Sequence, residues 1–591
     1  MAGRAASAVQ TTLVQADKLR LAGQHQEAER LVRELLRKVP KNGRAWLILA
    51  KLHAARRETA DAEAAYRQVI ELGAGAFEAH VNLGVLLGQR GALQEALAQY
   101  RAALALEPNH ALALRNYGGL LRNAGELERA IAVLERALAL APDDAGVHTN
   151  LGLAWSALGR HERALVSLES AVALAPREPL YHDNLLLLLH YASDVPRETI
   201  AEAHRRYGRV MASVSRLGPP GVARARTGRA LRVGFVSADF RRHSVAFFLE
   251  PLLAAFDRDR FVLVAYSDVR QEDEVTQRIA PQFAAFQRVA GMDDRALAQQ
   301  VRADAIDVLI DLSGHTHGNR LGAFAYKPAP LQLSYLGYPN TTGLDTVDYR
   351  VTDRWADPEG MTEALHSERL LRLEPGFLCY RPPASSPDVA PPPSSLGQPL
   401  TFGSFNALAK ISERTLALWS RLMREVPEAR LLIKHSFLTH PETRVSFEQR
   451  LREHGFDLAR VVLHGHVNEL AGHLAAYAQV DVALDTFPYH GTTTSCDALW
   501  MGVPVVTLAG DTHVSRVGVS LCSRLGLPEL VAESEDDYVA KAAALLRDGR
   551  RRQALRSELR TRMAASLTDP EPVTRALEQA IEQAFDALAS G

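Results

Sequence analysis

Cysteine, aromatic residues and excess charge are all scarce in this chain of 591 residues. The three cysteines, Cys379, Cys496 and Cys522, form no C-x-x-C pair and are odd in number, which argues against a disulfide framework and a structural zinc site. Aromatic residues make up only 6% of the sequence, which fits Ala/Leu-rich helices better than an all-β protein. Lys and Arg total 68 against 69 Asp and Glu, a balance that predicts neither disorder nor general polyanion binding.

Long apolar runs are missing as well. The N-terminal MAGRAASAVQTTLVQADKLR has no apolar core of signal-peptide length, and later apolar stretches are short or broken by charge. We therefore expect a cytoplasmic protein with neither a membrane nor a nucleic acid as its partner. Hydrophobic residues still make up 47% of the chain, enough for large cores, and at roughly 150 residues per domain the length predicts about four domain-sized units.

Four series of residues recur every 34 positions in the first third of the chain. They are Asn82, Asn116, Asn150 and Asn184; Gly23, Arg57, Gly91, Gly125 and Gly159; Ala28, Ala62, Ala96, Ala130 and Ala164; and Pro40, Pro108, Pro142 and Pro176, with Ala74 in the remaining place. Glycine tolerates the turn between two helices, alanine lets paired helices approach closely, and proline ends the second helix of each pair. This pattern resembles the tetratricopeptide repeat.

The resemblance predicts about five repeats and a further helix, which together form a right-handed superhelix over residues 8–194 with a concave inner surface that binds extended peptide. A connecting helical segment is expected over 195–229. The asparagine series has two interpretations. Each side chain could bond within its own repeat, or the series could line the concave face and donate paired amide contacts to the backbone of a bound peptide, which is the interpretation we favour.

Short β-rich runs that alternate with helical stretches begin near residue 230. LRVGFVSADF, FVLVAYS, IDVLIDLSG and LQLSYLGYP are typical of parallel strands buried on both faces and predict a first α/β lobe over 230–380. A Pro/Ser-rich linker is predicted over 381–399. LTFGSFN, ARLLIKHS, RVVLHGHV, VDVALDTFP and VPVVTLAG predict a second lobe over 400–560, followed by a C-terminal helix over 561–591.

Two such lobes place a ligand in the cleft between them, at the carboxyl ends of the strands. Neither lobe contains G-x-x-x-x-G-K-[ST] or G-x-G-x-x-G, which disfavours P-loop hydrolysis and conventional dinucleotide binding. In DTFPYHGTTTSCDALWMGVP, however, a strand end leads through Gly491 into Thr492, Thr493, Thr494 and a helix. Hydroxyls and backbone N–H groups at a helix N-terminus can hold a diphosphate.

Three further residues are candidates for the same cleft, each with an ordinary structural alternative. Asp497 could hold ribose hydroxyls or serve as a first-turn acid that the helix dipole favours. Lys410 could neutralise a diphosphate leaving group or be a solvated surface lysine. His243 follows the first strand and could be a general base or a hydrogen-bonding residue. The three threonines are equally typical of ordinary helix caps.

The repeat array followed by ADFRRHS, KPAPLQLSYLGYPNTTG, SFNALAK and LDTFPYHGTTTSCDALWMGVPVVT resembles the O-GlcNAc transferase/SPINDLY family, glycosyltransferase family 41, over nearly the whole chain. The resemblance implies a GT-B fold with two Rossmann-like lobes. It also implies inverting transfer of a sugar from a nucleotide-sugar, a co-substrate, to Ser or Thr hydroxyls of proteins. No cofactor and no metal are expected.

The family's functional residues carry over by position. His243 matches the active-site histidine, a base or substrate-orienting group, and Lys410 the lysine that contacts the donor diphosphate. Thr493 and Thr494 match the phosphate-binding threonines, Asp497 the ribose-binding aspartate, and His473 a histidine near the nucleoside. Thr492 stands where the animal enzyme has a histidine beside the donor.

Other positions depart from the animal enzyme. Leu470 and Ala476 replace a lysine and an arginine near the nucleobase, Asp307 replaces a first-lobe histidine, and the short proline linker replaces a large insert. The DTFPY-GTTT sequence of the donor loop looks more like SPINDLY, whose plant members use GDP-fucose. We expect UDP-GlcNAc as donor, with GDP-fucose as the alternative. An inactive repeat scaffold and a transferase acting on a small molecule or glycan are the competing hypotheses.

Overall fold

The computed structural model of the chain describes residues 2–214, 216–218, 228–467 and 469–590. The chain divides into two compact units, residues 1–154 and 155–591. No helix of the described ranges is both long and apolar enough to cross a membrane.

The first unit consists of helix pairs. Its helices are α1 (Ala2–Leu21), α2 (His25–Lys38), α3 (Gly43–Ala55), α4 (Thr59–Leu72), α5 (Ala76–Gln89), α6 (Leu93–Leu106), α7 (Ala111–Ala124), α8 (Leu127–Leu140) and most of α9 (Ala145–Ala157). The prediction of a 34-residue helical repeat is confirmed. Gly23, Gly91, Gly125 and Gly159 have positive φ in the turns, as does Arg57 at the one place without glycine. The five alanines of the repeat are fully buried.

The second unit begins with three further helices, α10 (His161–Leu174), α11 (Pro179–Leu189) and α12 (Arg197–Met211). α12 lies in the segment expected to connect the array to the first lobe. The remainder of that predicted segment includes Ser215 and residues 219–227, which lie outside the described residues.

The first lobe is a seven-stranded parallel sheet with the order β3-β2-β1-β4-β5-β6-β7. Its strands are β1 (Leu231–Ser237), β2 (Phe261–Ser267), β3 (Ala285–Arg288), β4 (Val308–Asp311), β5 (Leu331–Ser334), β6 (Tyr349–Thr352) and β7 (Arg369–Arg372). The helices are α13 (Ser244–Ala255), α14 (Glu274–Ile279), α15 (Asp294–Ala303) and α16 (Leu321–Ala325). β1 lies between β2 and β4, with Val233 opposite Leu263 and Val308. β3, β6 and β7 are absent from the strands predicted from sequence.

The second lobe is a six-stranded parallel sheet with the order β10-β9-β8-β11-β12-β13. Its strands are β8 (Thr401–Ser404), β9 (Arg430–Lys434), β10 (Val461–His464), β11 (Val482–Leu484), β12 (Val505–Leu508) and β13 (Val531–Ala532). Its helices are α17 (Glu413–Glu425), α18 (Pro441–Glu453), α19 (Leu470–Ala475), α20 (Thr493–Trp500), α21 (Val517–Arg524), α22 (Glu535–Arg547) and α23 (Gly549–Ala564). The prediction of two α/β lobes with parallel sheets after the repeats is therefore confirmed.

Two parts of the chain connect the lobes: the linker between them and the C-terminal helix. In the predicted linker, Pro392 and Pro393 are buried, and Ser394 Oγ donates to Asp481 Oδ1 (2.6 Å) in the second lobe. The last helix, α24 (Pro570–Ser590), returns to the first lobe, where Glu578 accepts from the backbone N–H of Asp257 (2.6 Å). α23 ends at Ala564, so the C-terminal helix begins later than the predicted boundary at residue 561.

Candidate active site

The loop between β11 and α20 is closed by one buried carboxylate. Asp485 directly follows β11, and its Oδ1 accepts from the backbone N–H groups of Thr486 (3.0 Å) and Gly491 (2.7 Å). Its Oδ2 accepts from Thr507 Oγ1 (2.9 Å) on β12. These bonds hold both ends of the loop at the carboxyl edge of the sheet, where a ligand of a doubly wound fold binds.

His490 fixes the middle of this loop and has one defined tautomer. The backbone N–H of Gly518 donates to Nδ1 (3.0 Å), so Nδ1 is unprotonated and Nε2–H donates to the carbonyl of Leu508 (2.9 Å). Burial lowers the pKa of His490, which keeps the ring neutral. Because the ring is held at both nitrogens, the His490 carbonyl has a fixed position.

Lys410 lies in a short 3-10 turn (Leu408–Lys410) after β8 and points at that carbonyl. Its Nζ donates to His490 O (2.9 Å) and lies 4.2 Å from the centroid of the Tyr489 ring. Burial lowers the pKa of Lys410 to about 8, while the Asp485 carboxylate acts in the opposite direction. Lys410 is thus a half-buried, bonded cation rather than a solvated surface lysine.

The three threonines open α20 beside Lys410. Thr492 precedes the helix, and its side chain makes no capping hydrogen bond to the first turn. Thr494 Oγ1 donates to Asn406 Oδ1 (2.8 Å). A Cβ on Gly491 would lie 2.5 Å from Thr494 Oγ1 and 2.8 Å from Asn406 Oδ1, so only glycine lets the loop enter the helix this closely. Uncapped N–H groups at a helix N-terminus attract an anion.

Asp497 and His473 belong to a second hydrogen-bonded chain in the same lobe. Lys434 Nζ donates to His473 Nδ1 (2.6 Å), and the other ring nitrogen, Nε2, lies 3.6 Å from Asp497 Oδ2. The other oxygen, Oδ1, accepts from the Tyr380 hydroxyl (2.5 Å). Asp497 is buried, and burial lowers the pKa of Lys434. This chain joins the end of β9 to α20.

His243 lies in the first lobe, at the N-terminus of α13, with 38% of its side chain exposed. The backbone N–H of Val245 donates to its Nδ1 (3.3 Å), which also lies 3.4 Å from Asp239 Oδ2. The pKa of His243 lies below its usual value, because burial lowers it by more than the Asp239 carboxylate raises it. Because Nδ1 accepts from Val245, the ring proton lies on Nε2, and a general base acting through Nε2 needs the other tautomer, in which Nδ1–H donates to Asp239.

The asparagines occupy one position in the first helices of successive pairs, and all four are half-buried. In α11, Asn184 Nδ2 donates to the Leu180 carbonyl of its own helix (2.9 Å). In the first unit, the side chain of Asn150 lies against Gly119. A Cβ added to Gly119 would lie 3.4 Å from the Asn150 amide. Asn184 therefore has the local bond of the first interpretation and still carries a second amide proton.

Several site residues escaped the sequence analysis. Asp485 and Lys434 stand at the ends of β11 and β9, and Asn406 comes two residues after β8, so the rule that ligands bind at carboxyl strand ends could have identified them. Tyr380 offered no such signal because it reaches Asp497 from 117 positions away. Asp307, a position of departure from the animal enzyme, lies before β4 and pairs with Arg229 (2.6 Å), at the opposite end of the strands.

Comparison with known families agrees with this architecture. The model of glycosyl transferase family 41 matches residues 173–379 and 396–576. Tetratricopeptide repeat models match residues 13–77, 49–111 and 81–145, and residues 121–187. Together these matches cover both the repeats and the two lobes.

Individual relatives are similar over about two thirds of the chain. A probable UDP-N-acetylglucosamine–peptide N-acetylglucosaminyltransferase SPINDLY of Oryza sativa subsp. japonica is 40% identical over 415 residues, covering 69% of this chain and 44% of its own length. The probable transferase SEC of Arabidopsis thaliana is 31% identical over 386 residues, covering 63% of this chain and 39% of its own length. The chain thus spans less than half the length of these curated relatives.

One solved structure is similar along most of the chain. An O-GlcNAc transferase of Thermobaculum terrenum, solved as a lysine-to-methionine mutant, superposes with a TM-score of 0.81 at 34% identity. The match covers 88% of this chain and 98% of the other. The expected GT-B arrangement of the two lobes is confirmed by this match.

Proposed function

This chain belongs to glycosyltransferase family 41, and we propose that it is an inverting protein O-glycosyltransferase that moves a sugar from a nucleotide-sugar to Ser or Thr hydroxyls. The acceptor oxygen attacks the anomeric carbon as the bond from that carbon to the diphosphate oxygen breaks. The nucleoside diphosphate leaves with the bonding electron pair, and the hydroxyl proton passes to a base, for which His243 is the candidate.

The observation that carries this proposal is the position of Lys410 beside the N-terminus of α20. Negative charge grows on the diphosphate as its bond to the sugar breaks, and preorganised donors at such a position stabilise it. Lys410 Nζ is fixed by the His490 carbonyl (2.9 Å), and the uncapped helix end at Thr493 and Thr494 adds backbone N–H groups. By analogy with other oxyanion sites, the arrangement contributes several kcal/mol. We propose no metal and no cofactor for this step.

The proposed donor is UDP-GlcNAc, which the names of the SPINDLY and SEC relatives support. His473 and Asp497 would bind its nucleoside, with Thr492, Thr493 and Thr494 at the diphosphate. GDP-fucose is the alternative donor. The observation in its favour is that the chain is 40% identical to a SPINDLY protein but 31% identical to SEC.

The proposed acceptors are proteins or peptides that lie along the repeats and contact Asn82, Asn116, Asn150 and Asn184. The half-buried positions of these asparagines in equivalent helices support this proposal. The proposed compartment is the cytoplasm, which the three free, buried cysteines favour. An inactive scaffold would have no need of the buried cation at Lys410, whose burial destabilises the fold.

A panel of labelled nucleotide-sugars tests the proposal. The purified chain is incubated with UDP-GlcNAc, GDP-fucose and other donors, with and without a peptide library, and both nucleotide release and peptide labelling are measured. We expect one donor to label Ser or Thr, and Lys410→Met to lose at least a hundredfold of that activity. Lys541→Met is the control, because Lys541 bonds Val531 O and Asp537 on α22, in contacts separate from the donor loop. Labelling of glycans alone, turnover of no donor, or near-normal turnover by Lys410→Met would refute the proposal.

A further inference from the structure

The turn that carries Lys410 is held by α10, the last helix of the repeat pairs. His161 is the first residue of α10, and its Nε2–H donates to the carbonyl of Ala409 (2.8 Å), the residue before Lys410. His161 is buried, and burial lowers its pKa to about 4, so the ring stays neutral and keeps this proton on Nε2 at physiological pH.

A second buried donor holds the other side of the same turn. Arg450, whose side chain is 1% exposed, donates through Nη2 to the carbonyl of Ile411 (2.7 Å), the residue after Lys410. Its Nη1 donates to the carbonyl of Leu158 (3.3 Å) at the start of the turn before α10. The carbonyls on both sides of Lys410 are therefore bound, and Arg450 joins this turn to the one that precedes α10.

The two turns approach too closely for any side chain between them. Gly159 has a φ of 72°, and a Cβ there would lie 3.0 Å from the carbonyl oxygens of Leu408 and Ile411 and 2.4 Å from Arg450 Nη1. Real Cβ atoms essentially never come as close as 2.4 Å to another atom, and 3.0 Å is shorter than nine in ten of their contacts. The repeat glycine at this position thus serves two purposes, the helix-pair turn and the contact with the Lys410 turn.

A ring contact reaches the Lys410 ammonium by a separate route. Tyr191, which follows α11, lies 4.9 Å from the Tyr489 ring, measured between centroids. The Tyr489 ring in turn lies below Lys410 Nζ (4.2 Å). His161 and Tyr191 are themselves stacked at 6.1 Å. Backbone and ammonium of Lys410 are therefore both positioned by the end of the helical array.

We propose that His161 is a positioning residue for Lys410, which makes the last repeat a structural part of the active site rather than only an acceptor-binding attachment. This inference rests on the proposed function, because it concerns the lysine that stabilises the departing diphosphate. Without the His161 bond the turn loosens, water reaches Lys410, and the ammonium loses its place beside the loop from β11 to α20. The defect should then appear even when no acceptor is present.

The test compares His161→Leu with His161→Gln. Leucine removes the donor, whereas the terminal amide of glutamine can replace the Nε2–H bond to Ala409 O. Donor hydrolysis without acceptor is measured for each. We expect His161→Leu to lower kcat at least tenfold with less than a threefold change in the KM for the donor, and His161→Gln to recover most of kcat. His182→Leu is the matched control, because His182 is also buried and donates to Pro176 O (2.9 Å), a bond within the array.

A second readout does not require activity. The rate at which acetic anhydride acylates Lys410 is followed against pH by mass spectrometry, which gives the pKa of that side chain. We expect this pKa to rise by at least 1 unit in His161→Leu and to stay unchanged in His182→Leu. If the wild-type chain turns over no donor, the proposed function fails, but this readout still decides the positioning role.

Equal kcat and equal Lys410 pKa in His161→Leu and the wild-type chain would overturn the inference, as would a defect of the same size in His182→Leu. If His161→Leu does not fold, His161→Asn takes its place. Its amide is too short to reach Ala409 O, so an unchanged Lys410 pKa in that variant would equally overturn the positioning role.

Discussion

Lys410 Nζ lies 2.9 Å from the carbonyl oxygen of His490, and this bond joins two turns of the second lobe at the proposed donor site. The His490 ring is bonded at both nitrogens, so the carbonyl is fixed. The ammonium is consequently oriented before any donor arrives. Preorganisation of this kind removes the cost of orienting a charge during the reaction.

The pH dependence of the reaction should report the titration of Lys410. Because burial lowers the pKa of Lys410 to about 8, the ammonium is present below pH 8 and is lost above it. We expect kcat/KM for the donor to fall about tenfold per pH unit above pH 8. A bound diphosphate favours the charged form of Lys410. The corresponding fall in kcat should therefore begin at a higher pH than the fall in kcat/KM.

The residual activity of Lys410→Met provides the control for this profile. Without an ammonium at position 410, the limb near pH 8 should disappear from kcat/KM. Its persistence in Lys410→Met would assign the titration to another group.

Lys410→Met should make the folded chain more stable while it abolishes transfer. The buried ammonium has a lowered pKa, so the folded state binds this proton less tightly than the unfolded state, and the penalty is fully present below pH 8. The penalty disappears as the pH rises from 8 to the unfolded value of about 10.5. We expect Lys410→Met to raise the free energy of unfolding by about 1 kcal/mol or more at pH 7, measured by denaturant titration.

The gain in the free energy of unfolding should shrink when the denaturant titration is repeated at pH 10, where Lys410 of the wild-type chain is neutral in the folded state. Lys541→Met, which removes a lysine bonded to Asp537 on α22, should not stabilise the chain. A loss of stability in Lys410→Met at pH 7 would contradict the predicted burial penalty.

Gly491→Ala should damage donor binding more than folding. The added Cβ would meet Thr494 Oγ1 at 2.5 Å and Asn406 Oδ1 at 2.8 Å, so the loop must move away from the N-terminus of α20. We expect the KM for the donor to rise at least tenfold, measured by steady-state kinetics. Gly549→Ala is the matched control, because its Cβ would meet only Arg552, at 3.7 Å. Equal kinetics in the two variants would show that the loop tolerates the shift.

The fold was largely predictable because its strongest features are periodic or apolar. The 34-residue series located the helix pairs, and β1, β2, β4 and β5 lie within long buried runs. β3 and β7 were missed for a physical reason. They are the edge strands of the first sheet, and their residues are half-buried or exposed, so their sequences AFQR and RLLR lack a buried apolar run.

The site was less predictable than the fold. Lys410, Thr494 and Asp497 stand in motifs. Lys410 and Thr494 proved to be bonded within the second lobe, and Asp497 to Tyr380 at the end of the first. The bonds of Tyr380 and His161 depend on how distant segments come together, since they span 117 and 248 positions. No local pattern encodes such a distance, and only the folded chain reveals these partners.

Asp497→Asn and Tyr380→Phe together separate two interpretations of the Asp497 carboxylate. If Asp497 binds ribose hydroxyls, as we propose, Asp497→Asn should raise the KM for the donor about tenfold, because a charged acceptor is lost. Tyr380→Phe removes the 2.5 Å bond to Oδ1 but keeps the carboxylate, and should change KM less than threefold. If Asp497 only stabilises α20, both variants should lower the melting temperature and leave KM unchanged.

Gly23→Ala and Arg57→Gly should shift the stability of the repeats in opposite directions. Gly23 and Arg57 occupy equivalent turns with φ of 76° and 62°, a left-handed region that costs a side-chain-bearing residue about 1–2 kcal/mol. A Cβ on Gly23 would meet nothing within 4 Å, so Gly23→Ala tests backbone strain alone and should destabilise its helix pair by about 1 kcal/mol. Arg57→Gly should relieve strain and stabilise its pair. Hydrogen exchange in α1 to α4 measures both effects locally, and faster exchange in Arg57→Gly would show that the contacts of the arginine side chain outweigh the strain.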